Sequence, residues 1–201
     1  MSRGESTLFD FDGTITTEDT FTAFLFYASS KSRIVIGLSI LWPVIALYKL
    51  GWLPASKTRP ILSKVAYWHR KESDVIASAH HFNHEYLNKV VRPEMVEKIR
   101  WHQQQGDEVI VVSASLDPYL RIWCEQQSVQ LICSQLEVRG ARYTGRYVQG
   151  DCSEERKVTF LKSSRNITQF GKIYAYGDTP EDLPMLKLAD VKYYQGQEIN
   201  Q

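Results

Sequence analysis

Asp10 and Asp12 stand two residues apart, directly after a short apolar run at residues 7–9. In an extended segment, residues i and i+2 face the same way, and two like charges held that close are unfavourable unless a cation or a proton neutralises one. The pair therefore asks for a divalent metal, with a carboxylate oxygen left to act as a nucleophile. Gly13 lets the chain turn without a Cβ, and Thr14 offers a hydroxyl and an amide at the same point, which suits a phosphate oxygen. Ser113 follows the apolar run 109–112, and Asp178 follows the run 173–177, with Glu181 and Asp182 just beyond it. Open α/β sheets bind ligands at the carboxyl ends of their strands, so three strand tips are expected to converge on one crevice. Lys157, early in a helix, adds a fixed positive charge there. Two other metal patterns fail. An EF-hand calcium loop also begins Asp-x-Asp but needs Gly at its sixth position, where Ile15 stands. His80 and His84 have helical i, i+4 spacing without the His-Glu-x-x-His pattern, and read as helix surface.

The elements that must position these groups alternate. Residues 7–9, 109–112, 131–133, 173–176 and 191–194 read as strands. Residues 94–105, 118–127, 154–163 and 181–188 read as helices, and 136–138 with 143–148 as a hairpin turning through Gly140. That order predicts an α/β fold, a Rossmann-like, mostly parallel sheet core with helices on both faces. Between the first strand and residue 94 the pattern is helical throughout. Residues 20–27 form one helix, and Ser73 is placed to cap another that carries Val75, Ile76, Ala79, Phe82, Tyr86 and Leu87. The expected organisation is a catalytic core of residues 1–17 and 89–201 with an inserted helical cap at 18–88.

Residues 34–48 carry no charge and contain Pro43. Fifteen helical residues rise about 22 Å, short of the roughly 30 Å hydrocarbon core of a bilayer, and Pro43 would kink them. One reading is a buried helical hairpin. The other is a surface that also meets lipid, since Trp42, Tyr48 and Trp52 flanked by Arg33 and Lys49 resemble interfacial anchors.

Net charge is +1 over 201 residues, but residues 20–71 hold eight basic residues and no acid. The rest of the chain is correspondingly acidic, so an anionic partner is expected at the basic segment. Nucleic acid is not the expected partner, because that segment has an unbroken apolar stretch rather than aromatics interleaved with basic residues. Cys124, Cys133 and Cys152 leave an odd one under any pairing and show no Cys-x-x-Cys spacing, which favours reduced thiols. The apolar length before Asp10 is too short for a signal peptide, so a cytoplasmic location is expected, at the inner face of the cell membrane if lipid is met.

Taken in order, Asp10-Phe11-Asp12-Gly13-Thr14, Ser113 in Val-Val-Ser-Ala-Ser, Lys157, and Gly177-Asp178 with Asp182 resemble the four motifs of the haloacid dehalogenase-like phosphatase superfamily. The likeness is to the branch that includes phosphoserine phosphatases and bacterial phosphatidylglycerophosphatase C, and it covers nearly the whole chain. Cys152 five residues before Lys157 and Thr144-Gly145 in the hairpin look like the same branch, although Glu154 stands where many members have Gly. The resemblance implies a phosphomonoester hydrolase in which Asp10 attacks phosphorus to give an aspartyl-phosphate. Asp12 would protonate the leaving oxygen and then deprotonate water. Ser113, Ala114, Gly13 and Lys157 would hold the phosphoryl oxygens. Mg²⁺ would be bound by Asp10, the Asp12 main-chain carbonyl and Asp178. Asp182 would support the metal through water or position Lys157.

The cap must choose the leaving group. Asp19 lies nine residues after Asp10, where phosphoserine phosphatases carry a Glu that meets the substrate amine; Asp is shorter. Arg59 falls near the cap Arg of those enzymes, in a register that does not align. The acid-free, apolar cap is more similar to the phosphatidylglycerophosphatase C type, which implies a membrane lipid phosphate such as phosphatidylglycerophosphate as substrate and contact with an anionic membrane. The alternatives are a phosphatase for a phosphorylated small molecule of the phosphoserine kind, a phosphotransferase sharing the covalent intermediate, and a non-catalytic phosphate-binding module, against which intact Asp10 and Asp12 argue.

Overall fold

The apolar runs, far apart along the chain, lie side by side in the computed structural model, which describes residues 4–199. The outermost positions of the expected core, residues 1–3 and 200–201, fall outside the described residues. In chain order the strands are β1 (Ser6–Phe9), β2 (Glu108–Leu116), β3 (Gln130–Ser134), the hairpin pair β4 (Leu136–Arg139) and β5 (Arg142–Tyr147), β6 (Ile173–Gly177), β7 (Val191–Tyr194) and β8 (Gln197–Ile199). Six of them form one sheet in the order β3-β2-β1-β6-β7-β8, parallel except for the last pair. Leu8 sits between Ile110 and Ala175, which centres β1 and puts the carboxyl ends of β1, β2 and β6 at one edge.

Helices cover both faces because each central strand buries both sets of alternating side chains. The helices are α1 (Thr20–Ala28), α2 (Lys31–Lys49), α3 (Ala55–Tyr67), α4 (Glu72–Phe82), α5 (Asn88–Val90), α6 (Pro93–Gln105), α7 (Asp117–Gln127), α8 (Glu155–Ser164) and α9 (Leu183–Leu186). Phe9, Val109 and Val111 pack with Ile99 of α6 and Leu120 and Trp123 of α7, whereas Leu8, Ile110 and Val112 pack with Phe160 and Leu161 of α8 and Met185 and Leu186 of α9. The α/β architecture is as expected. Pro184 lies inside α9, and the helix expected over 181–188 is instead a 3₁₀ turn at Pro180–Asp182 followed by the short α9. The three cysteines are free.

Helices α1 to α5 follow β1, and here two expectations give way. Lys71 rather than Ser73 occupies the N-cap position of α4, and the Ser73 hydroxyl turns to Asp74. More consequentially, the uncharged run is not a buried hairpin. It extends into a 19-residue α2 that passes through Pro43, long and apolar enough by length and composition to cross a membrane, of which only 11% is buried. Gly37 and Leu41, four residues apart, form the buried stripe against α3; a Cβ on Gly37 would stand 3.3 Å from the Val65 methyl, so glycine sets the helix spacing. Val35, Ile36, Ile40, Trp42 and Trp52 face outward because no further element packs over them. On the opposite flank, Gly145 (φ +75) lets β5 meet α3, where a Cβ would lie 2.8 Å from the Lys64 backbone.

His102 of α6 is fully buried behind β1. With its proton on Nδ1, the ring donates to Asp107 (2.7 Å) and accepts from the Tyr176 hydroxyl at Nε2 (3.0 Å), so the neutral form satisfies its partners. Burial lowers its pKa, although Asp107 opposes the shift. The unfolded chain, with histidine near 6.5, then binds more protons than the folded one just below that pH, so stability falls as pH drops, by at most about 1.4 kcal/mol per unit. Urea melts of wild type and His102→Gln at pH 7 and 5.5 check this: wild type should lose more, and equal losses contradict it.

Candidate active site

Asp10 ends β1 with its N–H still bonded to the Tyr176 carbonyl of β6 (2.9 Å), so sheet register fixes where its carboxylate emerges. The chain then tightens into a single turn over Phe11–Ile15, in which Gly13 takes φ +82. Any Cβ on Gly13 would stand 2.1 Å from Asp178 Oδ2, so this position admits no side chain while Asp178 keeps its place. Thr14 Oγ1 donates to Asp178 Oδ1 at 3.1 Å and orients that carboxylate.

Asp10 and Asp12 both line the cavity, but Asp10 is paired with a cation while Asp12 is held by neutral donors. Asp10 Oδ1 accepts from Lys157 Nζ. Asp12 Oδ1 accepts from the N–H and hydroxyl of Thr20 (2.6 and 2.5 Å), at the start of α1, and Asp12 Oδ2 from the Ser115 hydroxyl (2.5 Å). Burial pushes the Asp12 carboxyl up, and the Ser115 and Thr20 hydrogen bonds partly offset that.

Lys157, fully buried in the first turn of α8, reaches a second carboxylate, Asp182 Oδ1, at 2.6 Å. Burial alone would lower the ammonium, but Asp10 and Asp182 outweigh it and hold Lys157 charged. Burial opposes ionisation of Asp182 as well, yet Lys157 and the Thr179 hydrogen bonds keep it below the usual carboxylate range. Asp182 Oδ2 also accepts the N–H groups of Asp178 (3.2 Å) and Thr179 (3.0 Å). Asp182 therefore positions both the lysine and the Asp178 loop.

One oxygen each from Asp10, Asp178 and Asp182 lies within 4.8 Å of the others. Burial pushes Asp10 and Asp178 up, with Lys157 opposing at Asp10 and Asp182 adding to the rise at Asp178. Three carboxylates against one ammonium leave a charge deficit, and an all-oxygen donor set suits a small hard dication. The Asp12 carboxylate is outside this group, its oxygens already engaged. His80 and His84 are exposed and join no such group among the described residues.

Above these groups opens a cavity of about 610 Å³ whose walls include Ala114, Ser115, Asp19 and Arg59. Ser113 is fully buried beneath it, its Oγ accepting the Ser115 N–H at 3.0 Å, while β2 runs on to Leu116 rather than stopping before Ser113. Ser115, whose hydroxyl meets Asp12, went unread in the sequence; its place two residues beyond Ser113 on a strand is the signal that could have found it. Exposed Asp19 caps α1 through the Thr22 N–H (3.2 Å). Arg59, set aside on register grounds, crosses from α3 to the core and pairs with Asp151 (3.2 Å) and Glu181 (2.8 Å) at the cavity wall.

Glu154, just before α8, holds φ +52 and ψ −134, a conformation that L side chains rarely adopt. Strain there costs about 1–3 kcal/mol, against about 0.5–1 kcal/mol of entropy that glycine would forfeit. Glu154→Gly is therefore expected to stabilise the protein by about 1 kcal/mol. A rise in urea midpoint at unchanged slope checks it, and a fall contradicts it.

The chain is similar in sequence and in fold to several known proteins. Residues 7–187 match the model of the haloacid dehalogenase-like hydrolase family. Protein CicA of Caulobacter vibrioides is 30% identical over 201 aligned positions, covering 93% of this chain and 84% of that protein. Histidinol-phosphatase of Neisseria meningitidis serogroup C is 30% identical over 127 residues, 59% of this chain; the match spans only 57% of that protein's length. Among solved structures, a protein of unknown function from Bordetella pertussis Tohama I aligns with TM-score 0.78 at 20% identity, covering 95% of this chain and 89% of that one. A substrate-bound phosphoserine phosphatase aligns with TM-score 0.67 at 19% identity, covering 96% and 87%. A family match over residues 7–187, on a mostly parallel sheet whose strand tips gather Asp10, Asp178 and Asp182, leaves one assignment: the chain belongs to the haloacid dehalogenase-like hydrolases.

Proposed function

We propose that the chain is a Mg²⁺-dependent phosphomonoester hydrolase that works through an aspartyl-phosphate on Asp10, and that its substrate is a membrane lipid phosphate. The observation that carries the chemistry is the meeting of Asp10, Asp178 and Asp182 within 4.8 Å on the floor of a cavity that also holds Asp12 and Lys157. Asp10 and Asp178 would hold Mg²⁺, with the Asp12 carbonyl. When bound, the ion offsets repulsion between an anionic nucleophile and an anionic substrate.

Asp10 forms a bond to phosphorus as the ester P–O bond breaks, and Asp12 delivers a proton to the departing alkoxide oxygen. Thr20 and Ser115 hold the Asp12 carboxyl in place for that transfer. Asp12 then takes a proton from water, which attacks phosphorus and breaks the bond to Asp10, releasing inorganic phosphate. Lys157 keeps a fixed charge against Asp10 throughout, and main-chain amides near Gly13 and Ala114, which line the cavity, would hold the phosphoryl oxygens. Helices α1 to α4 act as the cap.

The lipid assignment rests on α2. Its exposed apolar residues lie in a segment with eight basic residues and no acid, which matches an anionic bilayer, where each basic residue near the surface contributes about 1 kcal/mol. The inner face of the cell membrane is the corresponding location, and the free cysteines fit it. A phosphorylated metabolite is the second reading, favoured by the relative named histidinol-phosphatase. The pairing of Arg59 with Asp151 and Glu181 weighs against a substrate carboxylate at that guanidinium. The test is phosphate release from a lipid phosphate in mixed micelles, from phosphoserine and from histidinol phosphate, with Mg²⁺ and with EDTA. The reading expects EDTA to abolish release, Mg²⁺ to restore it, and the lipid to be preferred. Brisk turnover of the soluble esters, with no sedimentation on anionic vesicles at low salt, would defeat the lipid assignment.

A further inference from the structure

A second cavity, of about 410 Å³, lies between α1, α2 and α3. Its walls are largely apolar, with Leu25 from α1, Leu38, Leu41 and Ile45 from α2, and Leu62 and Val65 from α3. No acid lines it. Thr22, Tyr48, Thr58 and Leu62 line both this space and the catalytic cavity, so the two meet there. From Arg33 at the far end to Tyr48 at the junction, α2 rises about 22 Å. One leaflet of a bilayer is about 15 Å of hydrocarbon, half of the whole core.

We propose that this groove takes the hydrocarbon chain of the substrate while its phosphate sits at Asp10, so that the cap selects phosphomonoesters carrying a long apolar chain. The proposal rests on the phosphomonoesterase reading above and adds to it the place where the chain goes. The continuity of the groove with the catalytic cavity singles out a substrate tail as the occupant. A peptide laid in the groove would set its backbone N–H and C=O groups against apolar side chains, at a cost that a hydrocarbon does not incur. The amphiphile's two ends then meet matching chemistry, carboxylates with a cation at one end and aliphatic walls at the other.

The test is a series of n-alkyl phosphates from short to long, each below its micelle concentration and without vesicles, with Mg²⁺ present. For wild type, kcat/KM is expected to rise by up to roughly fourfold per added methylene until the groove is full. Ile45→Trp and Val65→Phe fill the groove from opposite walls and should end that rise at shorter chains, leaving turnover of the shortest ester unchanged. Val35→Trp, on the 63% exposed outer face of α2, should keep the full rise. A kcat/KM that is flat with chain length in wild type overturns the proposal, with no variant needed, and so does a rise that neither filling substitution shortens. Turnover of the shortest ester in those same assays keeps the phosphatase reading intact; absence of turnover at every length overturns that reading and this one together.

Discussion

Asp10→Asn is expected to lower Mg²⁺-dependent phosphate release by roughly 10⁴-fold or more, the scale seen when a covalent nucleophile is removed. The substitution keeps the volume of the side chain, so the packing of Phe9 and Phe11 on either side is undisturbed. Lys157 retains Asp182 at 2.6 Å, which leaves its charge partnered and the fold intact. What is lost is an oxygen able to bond phosphorus, since an amide oxygen is a poor nucleophile. Asp12→Asn should differ in kind. It leaves Asp10 free to be phosphorylated by esters with good leaving groups, but removes the base for the second step, so phosphoenzyme should accumulate. Wild-type and Asp10→Asn protein assayed side by side on an aryl phosphate check the first point. Equal rates would mean that the chemistry occurs elsewhere.

The second large effect is on stability. Lys157→Met is expected to cost about 3–5 kcal/mol, because it strands Asp10 and Asp182 as buried carboxylates without their shared cation. Such a loss exceeds what the lysine stem alone would contribute by packing, since methionine replaces most of that volume. The double variant Lys157→Met with Asp182→Asn separates the causes: if the stranded charge is responsible, the second substitution restores part of the loss. Urea melts in EDTA read both. A loss under about 1 kcal/mol for Lys157→Met would show that the ion pairs contribute little and that Asp10 takes its support from elsewhere.

The groups that cluster at the strand tips were legible because each follows an apolar run at a fixed offset. Asp10, Ser113 and Asp178 stand at or near the ends of β1, β2 and β6, and three adjacent parallel strands leave little freedom in where those positions meet. Gly13 was legible as a turn, but its stronger constraint, the 2.1 Å clash with Asp178, involves a residue remote in the chain. Arg59 and Asp151 were illegible for the same reason: their meeting depends on how α3 docks against the core, which periodicity does not encode. Ser113, expected at the phosphate, is buried because β2 continues past it to Leu116, and it is the unread Ser115 whose hydroxyl meets Asp12. The largely polar β8, only three residues long, carries no period-2 signal, and it pairs with β7 through the backbone ladder and a hydrogen bond from the Tyr193 hydroxyl to Glu198 (3.3 Å).

The uncharged run in α2 left two readings open for a different reason, and only the buried hairpin is overturned. A helix apolar on all sides is ordinarily a buried one, and sequence alone does not name what buries it. Here α3 covers one stripe, through Gly37 and Leu41, and much of the remaining apolar surface is exposed.

The central claim is that Asp10 bonds to phosphorus during turnover. Acid-quenching the enzyme with substrate, reducing the acyl-phosphate with borotritide and locating the label by peptide mass spectrometry tests it most directly. The expected result is a Mg²⁺-dependent label on Asp10 that is stronger in Asp12→Asn and missing from Asp10→Asn. A label on another residue, or rapid turnover with no label on Asp10 in any of these proteins, would contradict it.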